Sequence, residues 1–178
     1  MVRALAVLML LLCAVPAHAA SIPAAVKNEI SNARLAGQGS FRWFGLKIYD
    51  AQLWVGDRGY RPDHPESAKF ALSLNYARGL YGNQIARNSL DEIRKLGFGT
   101  AAQQEIWLKE MEALFPDVHE GTSISGIYLP GQGVRFYLDG KPLGEIADAK
   151  FALAFFAIWL DQRTSAPSLR KQLLSSAQ

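Results

Sequence analysis

The chain has 178 residues, a hydrophobic fraction of 49% and a net charge of +3 at pH 7. This length is usual for one domain with one hydrophobic core. The small net charge is weak support for a nucleic-acid partner, because such binding scales with the number of phosphates that are neutralised. Cys13 is the only cysteine, so the chain cannot form an internal disulfide.

The first predicted element is a secretory signal peptide at residues 1–19. Arg3 precedes an unbroken apolar run, and the segment A-H-A that ends at Ala19 has the form of a cleavage site. The run is shorter than the about 20 residues that a permanent membrane-spanning helix requires. We expect cleavage near Ala19, a periplasmic or secreted mature protein, and neither a cysteine nor a transmembrane segment in that mature protein.

Two strands are predicted next, between residues 33 and 55. This stretch is rich in aromatic and β-branched residues, which are typical of strands. Gly37, Gly39 and Gly45 interrupt it as turn formers, and the two strands are expected to meet between Trp43 and Gly45.

A polar loop and a third strand follow, and then the period of the sequence changes. Large apolar residues alternate with smaller or polar ones over residues 70–76, which indicates a half-buried strand. Apolar residues then recur at helical spacing up to Gly97, and a second helix is predicted from about Ala101 to Leu114, before Pro116.

The strand pattern returns from Thr122 as three short apolar runs, joined by P-G-Q-G and D-G-K-P. A D-G pair between apolar runs is a strong hairpin signal. The segment A-K-F-A-L-A-F-F-A-I-W-L is apolar on nearly every side, which predicts a buried helix, and a terminal helix is expected to reach Gln178. These elements predict a single α+β domain at residues 20–178, with an antiparallel sheet and helices over one face.

The catalytic and metal-binding motifs that parts of the sequence suggest are incomplete. The G-Q-G triplets at Gly37 and Gly131 lack the spacing of a phosphate loop, and G-T-S-I-S-G lacks that of a nucleophile elbow. His64 and His119 have no partner at metal-ligand spacing. Aromatic and basic residues alternate after Gly39 as on an RNA-binding sheet, but the export signal and the charge argue against that reading. We expect no metal, no cofactor and no nucleic acid.

Three parts of the chain carry a resemblance when they are taken in order. The first is L-A-G-Q-G-S-F-R-W-F-G-L-K-I-Y-D-A-Q-L-W-V, with an L-x-G-x-G opening and a K-[VI]-Y-x-A-x-L-[YW] close. The second is F-A-L-S-L-N-Y-A-R-G-L-Y-G-N-Q-I-A-R-N-S, and the last comprises Y-L-P-G-Q-G-V-R-F and G-E-I-A-D-A-K-F-A-L-A-F-F-A-I-W-L. Together they resemble the chalcone isomerase-like proteins, particularly the bacterial secreted branch, over nearly all of residues 20–178. The resemblance implies an open-faced β-sandwich of chalcone isomerase type, with a helical layer on one face of an antiparallel sheet and a cleft between them.

The family includes the plant isomerase that closes a chalcone to a flavanone by adding a phenolate to an enone. The resemblance places Tyr49 where that enzyme has a threonine. It places Ile85, Asn88 and Glu92 where the enzyme has a tyrosine, a lysine and an asparagine. Loss of these donors should remove much of the electrostatic stabilisation of the developing enolate, so no catalytic residue is assigned.

The family also includes non-catalytic fatty-acid-binding proteins, in which an arginine and a tyrosine on adjacent strands hold the carboxylate. Tyr49 matches that tyrosine, whereas Phe41 falls at the arginine position and Arg42 one residue later. Arg42 therefore reaches the cleft only if a bulge near Gly39 restores the register, and otherwise it is a solvent-facing cation. Three further aromatic residues are candidates for lining the tail pocket, although aromatic residues on strands are more often core: Phe44, Trp54 and Tyr76.

The leading expectation is an exported, non-catalytic binder of a fatty acid or a similar amphiphilic carboxylate, with Tyr49 and Arg42 at its polar head. An alternative is an isomerase or lyase that acts on an unsaturated carbonyl compound through other residues. A third reading is a structural partner in an envelope complex that binds no small molecule.

Overall fold

The computed structural model describes residues 21–177, so the predicted signal peptide at residues 1–19 lies outside the described residues. The described residues form five helices and six strands. In chain order they are α1 (Ala24–Glu29), β1 (Arg34–Trp43), β2 (Leu46–Val55), β3 (Phe70–Tyr76), α2 (Gly82–Leu96), α3 (Ala101–Leu114), β4 (Ser123–Leu129), β5 (Gly133–Leu138), β6 (Lys141–Ile146), α4 (Ala149–Leu160) and α5 (Pro167–Leu173).

The six strands form one antiparallel sheet in the order β1-β2-β3-β4-β5-β6, so each strand pairs with its neighbours in the sequence. Two-residue turns close the first and last hairpins. Phe44 and Gly45 have φ angles of 46° and 81°, and Asp139 and Gly140 have 48° and 78°. Two successive positive φ angles are typical of type I′ hairpin turns. The predicted meeting point of the first two strands and the predicted D-G hairpin are both confirmed.

One face of the sheet, here called the helix face, is covered by α3, α4 and α5, and α2 packs against α3 and α4. Alternate strand residues such as Leu53, Leu72 and Phe136 point to this side and are almost completely buried. α4 is buried along most of its length, as its uniformly apolar sequence predicts. The predicted antiparallel sheet with a helical layer on one face is confirmed.

The opposite side, here called the outer face, is covered only in part. The short helix α1, which was not predicted as a helix, packs Val26 and Ile30 against Trp54, Ala71 and Ile127. The half of the outer face formed by β1 and β2 lies beyond α1 and carries polar side chains. These include Gln38, Ser40, Asp50 and Gln52.

Gly37 and Gly39 lie within β1 rather than at a turn, which corrects the sequence prediction for these two positions. A Cβ atom at Gly37 would lie 2.1 Å from the main-chain oxygen of Gln172, and one at Gly39 would lie 1.9 Å from the Gln172 side chain. The two glycines therefore allow α5 to lie directly on the helix face of β1. The predicted terminal helix is also shorter than expected, because α5 ends at Leu173.

α4 is held at both ends by specific hydrogen bonds. At its N-terminus, Asp148 accepts hydrogen bonds from the main-chain N–H groups of Lys150 and Phe151 at 2.7 and 3.0 Å, and from Trp107 Nε1 at 2.9 Å. At its C-terminus, Arg170 Nε donates to the carbonyl oxygen of Leu160 at 2.7 Å. These bonds satisfy backbone groups that a helix leaves unpaired at its ends, and they fix α4 over the sheet. None of the helices within residues 21–177 is long and apolar enough to cross a membrane.

Candidate functional site

Tyr49 lies on the helix face of β2, as the resemblance implies. Its ring stacks on Phe41 with the centroids 5.2 Å apart and meets the edge of Tyr76 at 6.0 Å. Trp159 Nε1 donates a hydrogen bond to the Tyr49 hydroxyl oxygen at 2.9 Å. Burial raises the pKa of Tyr49 well above its ordinary value, although the Trp159 hydrogen bond opposes this. The hydroxyl is therefore neutral at physiological pH and keeps its own proton available for donation.

Arg42 does not lie beside Tyr49. The irregularities of β1–β2 pairing fall between Leu35 and Gly37 and between Phe41 and Arg42, so the bulge near Gly39 that would turn Arg42 into the cleft is not formed. Phe41 occupies the position opposite Tyr49 instead. Arg42 is exposed on the outer face near Asp50, and its Nη1 donates to the Gly45 carbonyl at 3.1 Å. The two side chains cannot grip one carboxylate in this arrangement.

The three aromatic candidates for a tail pocket separate in the fold. Tyr76 is buried on the helix face in contact with Tyr49. Trp54 is buried on the outer face beneath α1, and its Nε1 has no hydrogen-bond partner. Phe44 is at the hairpin turn and is 89% exposed. Of the five predicted site residues, the structure thus brings together Tyr49 and Tyr76 only, and ligand binding by them stays a prediction.

A pocket of about 350 Å³ opens on the helix face beside α4, and we call it the α4 pocket. It lies near Phe70 at the start of β3, whereas Tyr49 pairs with Tyr76 at the end of that strand. Seven residues of strand put the two places roughly 20 Å apart. The wall of the pocket is mostly aromatic and aliphatic. Its members include Tyr60, Phe70, Phe98, Tyr128, Leu153, Phe156 and Leu160.

Two arginines lie at this pocket with different surroundings. Arg163 is exposed and holds Asp161 through two hydrogen bonds, from Nε at 3.0 Å and from Nη2 at 2.9 Å. Arg170 is half-buried, and none of the ion pairs formed within residues 21–177 includes it. Its Nε donates to the Leu160 carbonyl. Its charge also helps to lower the pKa of Asp161, the carboxylate that Arg163 already holds, but Arg170 forms no ion pair with it. An incoming anion can therefore bind to Arg170 without breaking an ion pair, whereas binding to Arg163 would compete with Asp161.

Tyr60 adds a hydroxyl to the same pocket. It is buried, and its ring meets the edge of Phe70 with centroids 5.0 Å apart. Burial raises the pKa of Tyr60 well above its ordinary value, while the nearby charge of Arg170 opposes this. Tyr60 and Arg170 were missed by sequence reasoning because 110 positions separate them, and no local pattern links them. The one sequence signal that could have indicated Tyr60 is that it is an aromatic residue within a polar loop.

No three His, Cys, Asp or Glu side chains within residues 21–177 lie close enough together to hold a metal ion. The α4 pocket combines a mostly apolar wall, the phenol of Tyr60 and the Arg170 guanidinium, which forms no ion pair, beside the Asp161–Arg163 pair. This arrangement is suited to an amphiphile with an anionic end.

Comparisons with known proteins agree with this architecture. An uncharacterized protein of Haemophilus influenzae is 31% identical over 138 residues, which are 78% of this chain and 66% of that protein, so the chain spans slightly less than two thirds of its relative. The crystal structure of a fatty-acid-binding protein of Arabidopsis thaliana has a TM-score of 0.64 at 14% identity, over 83% of this chain and 89% of that one. This similarity shows a shared fold. The sequence pattern described as chalcone isomerase-like matches residues 14–175, and the chain therefore belongs to the chalcone isomerase-like family.

Proposed function

We propose that this protein is a non-catalytic binder of a fatty acid or a similar amphiphilic carboxylate, and that the α4 pocket receives the ligand. The observation that carries the proposal is Arg170, a half-buried guanidinium that forms no ion pair within residues 21–177, at the wall of a mostly apolar pocket. The structurally similar Arabidopsis protein is named for fatty-acid binding, which supports this class of ligand.

The polar head of the ligand would bind to Arg170 and Tyr60. The hydrogen bond from Arg170 Nε to Leu160 orients the guanidinium, so little side-chain freedom is lost when a carboxylate binds to the terminal nitrogens. The neutral hydroxyl of Tyr60 can donate a second hydrogen bond. This is the arginine and tyrosine chemistry that the sequence predicted for Arg42 and Tyr49, carried by a different pair of residues.

The tail of the ligand would lie along the aromatic wall of the pocket, which includes Phe70, Phe98 and Phe156. A volume of about 350 Å³ is near the lower end of the range for small-molecule sites, roughly 300–1,000 Å³. Such a volume favours a ligand with one alkyl chain over a lipid with two.

The neighbourhood of Tyr49 is the second place where a head group could bind. Phe41, Tyr76 and Trp159 fill the space around its hydroxyl, so a ligand there must displace the Trp159 hydrogen bond. A buried hydroxyl that loses such a partner costs about 1–3 kcal/mol unless the ligand replaces the bond. For this reason we rank this location after the α4 pocket.

The test is a titration with dodecanoate and, for comparison, dodecanol, followed by calorimetry and by the shift in melting temperature. Arg170→Gln is expected to weaken dodecanoate binding about 10- to 100-fold, since a hydrogen bond to a charged group contributes about 1.5–3 kcal/mol, and to change dodecanol binding little. Lys171→Gln is the matched control, because Lys171 follows Arg170 on α5 but is exposed and does not line the pocket. Tyr49→Phe is expected to leave binding unchanged.

The outcomes separate the two locations. Loss of binding in Tyr49→Phe with normal binding in Arg170→Gln would move the head group to Tyr49. The proposal is wrong if the protein binds no dodecanoate and native mass spectrometry shows no co-purifying lipid.

Export is part of the proposal and is supported by the sequence of residues 1–19 alone. Cell fractionation is expected to recover the protein outside the cytoplasm with Ala20 as its first residue. A cytoplasmic protein that retains its leader would contradict this.

A further inference from the structure

The turn of the first hairpin carries an exposed apolar cluster, which we call the hairpin tip. It consists of Trp43, Phe44 and Leu46, which are 61%, 89% and 56% exposed. Six large hydrophobic side chains within residues 21–177 are at least 40% exposed, and these are three of them. The rings of Trp43 and Phe44 meet edge to face with centroids 5.0 Å apart, so the cluster presents a continuous apolar surface rather than scattered residues.

The hairpin tip projects beyond the rest of the sheet. β2 pairs with β3 only from Tyr49 onward, where Tyr49 is opposite Tyr76. One further hydrogen bond follows, from the Ala77 N–H to the Ile48 carbonyl. Residues 42–47 pair only with each other. The tip is therefore the convex end of a two-stranded ribbon.

Phe44 is a poor choice for this turn on grounds of folding alone. Its φ of 46° lies in the left-handed region, which bulky residues rarely adopt, whereas asparagine followed by glycine is the preferred pair in a type I′ turn. The side chain is also too exposed to contribute to the core. Local strain with no gain in packing is a reason to look for a role outside the fold.

Two basic residues flank the hairpin tip, and a third follows the end of β3. Arg42 and Lys47 flank it within the hairpin and are paired with each other in register, and Arg78 follows directly on Ala77. Lys47 also contacts Asp50, which is the acidic residue nearest in the hairpin sequence. Aromatic residues with a ring of basic side chains are typical of surfaces that enter the interface of membranes with anionic lipids.

We propose that the hairpin tip inserts into the interface of an anionic phospholipid membrane. Trp43, Phe44 and Leu46 would enter the boundary between head groups and acyl chains, and Arg42, Lys47 and Arg78 would lie among the phosphates. A second copy of the chain fits this surface less well. The three side chains offer roughly 400 Å², about half of the roughly 800 Å² per partner of a stable interface, and the tip is convex. The proposal does not depend on the ligand of the α4 pocket.

Tryptophan fluorescence gives a direct reading of insertion. Of the four tryptophans, Trp54, Trp107 and Trp159 are buried and Trp43 alone is exposed. Purified protein is mixed with vesicles of phosphatidylcholine and phosphatidylglycerol, or of phosphatidylcholine alone. With the anionic vesicles, we expect a blue shift of the emission and quenching by brominated acyl chains, both absent in Trp43→Phe. Arg42→Gln is expected to reduce the preference for phosphatidylglycerol.

The decisive variant is Phe44→Asn, because it introduces the Asn-Gly turn and so removes the apolar side chain without threatening the fold. It is expected to weaken vesicle binding about tenfold or more while the melting temperature stays equal or rises. Ile106→Gln is the matched control, since Ile106 is an apolar side chain on α3 that is 56% exposed, as Leu46 is. This variant should bind as the wild type does.

Three results would overturn the proposal. The first is absence of binding to anionic vesicles at low salt. The second is unchanged binding by Phe44→Asn, or an equal loss in Ile106→Gln. The third is a dimer of the wild type in sedimentation velocity that becomes a monomer in Phe44→Asn, while neither the wild type nor the variant binds vesicles. This result would show that the tip contacts a second copy of the chain.

Discussion

Glu29 is the residue whose replacement tests how α1 is held on the outer face. It is the last residue of α1. Its carboxylate accepts hydrogen bonds from Arg135 Nη1, from the Tyr137 hydroxyl at 2.7 Å and from Lys69 Nζ at 3.2 Å. The Glu29 side chain is 11% exposed. We expect Glu29→Gln to loosen α1 and to lower the free energy of unfolding at neutral pH.

The magnitude follows from the pKa of this carboxyl group. Burial alone would raise it, but the hydrogen bonds from Tyr137, Arg135 and Lys69 outweigh burial and lower the pKa of Glu29 from 4.5 to about 2. That interval corresponds to about 3 kcal/mol of stability at neutral pH. Because Arg135 and Lys69 are partly exposed to solvent, screening reduces the expected effect to about 1–2 kcal/mol.

The sign of the pH dependence follows from the same values. A folded-state pKa below the unfolded one means that the stabilisation is fully present above about pH 4.5 and is lost as the pH falls towards about 2. Urea denaturation of the wild type and of Glu29→Gln should therefore give curves that differ near pH 7 and converge as the pH falls.

Glu145→Gln is the matched control for this prediction. Glu145 also pairs with Arg135, but its side chain is 47% exposed, so we expect a change within about 0.5 kcal/mol. The reasoning fails if Glu29→Gln is as stable as the wild type near pH 7. It also fails if the difference between the two proteins stays constant down to about pH 3.

Three further predictions concern the hairpin tip, the Tyr49 hydroxyl and the contact between α5 and β1. Phe44→Asn should raise the free energy of unfolding by about 1 kcal/mol, because asparagine adopts the left-handed conformation at lower cost; a decrease in urea denaturation would contradict the strain assigned to Phe44. Trp159→Phe should lower the free energy of unfolding by about 1–3 kcal/mol, because it leaves the Tyr49 hydroxyl unpaired. The double variant with Tyr49→Phe should lose less stability than the sum of the two single variants, and additive losses would argue against an interaction between the two side chains. Gly37→Ala should lower the free energy of unfolding by about 2 kcal/mol or more, because the new Cβ atom pushes α5 away from β1. Amide hydrogen exchange in α5 should become faster, and unchanged protection of α5 would refute the close contact.

Local signals in the sequence were sufficient for most of the fold. Alternation with a period of two, recurrence at helical spacing and the Asp139-Gly140 pair are each encoded within a few neighbouring residues. α2 ends at Gly97 in the left-handed conformation and α3 ends before Pro116, as their sequences predict. α1 was missed because its six residues are too few to establish a period.

The register of β1 could not be predicted, and with it the orientation of Arg42. The first irregularity of β1 lies at Ala36, not near Gly39. Ser176 N–H and the Ser175 hydroxyl both donate to the Ala36 carbonyl, at 2.8 and 3.3 Å. The groups that contact this part of β1 therefore lie about 140 positions away in the sequence, beyond the reach of any local pattern. The same holds for the α4 pocket, which the fold creates by bringing Tyr60 against Arg170.

The strictly sequential order of the sheet has a consequence for folding. Each strand can pair with one already synthesised, so the sheet can grow by local hairpins, and only the step from β3 to β4 must wait for two helices. α4 and α5, which cover the helix face, follow all six strands in the chain. A sheet that formed during synthesis would have much of its apolar side uncovered until α4 and α5 had been made, and α5 also supplies Arg170. The α4 pocket is therefore complete only when the last helix of the chain has packed against the rest of the fold.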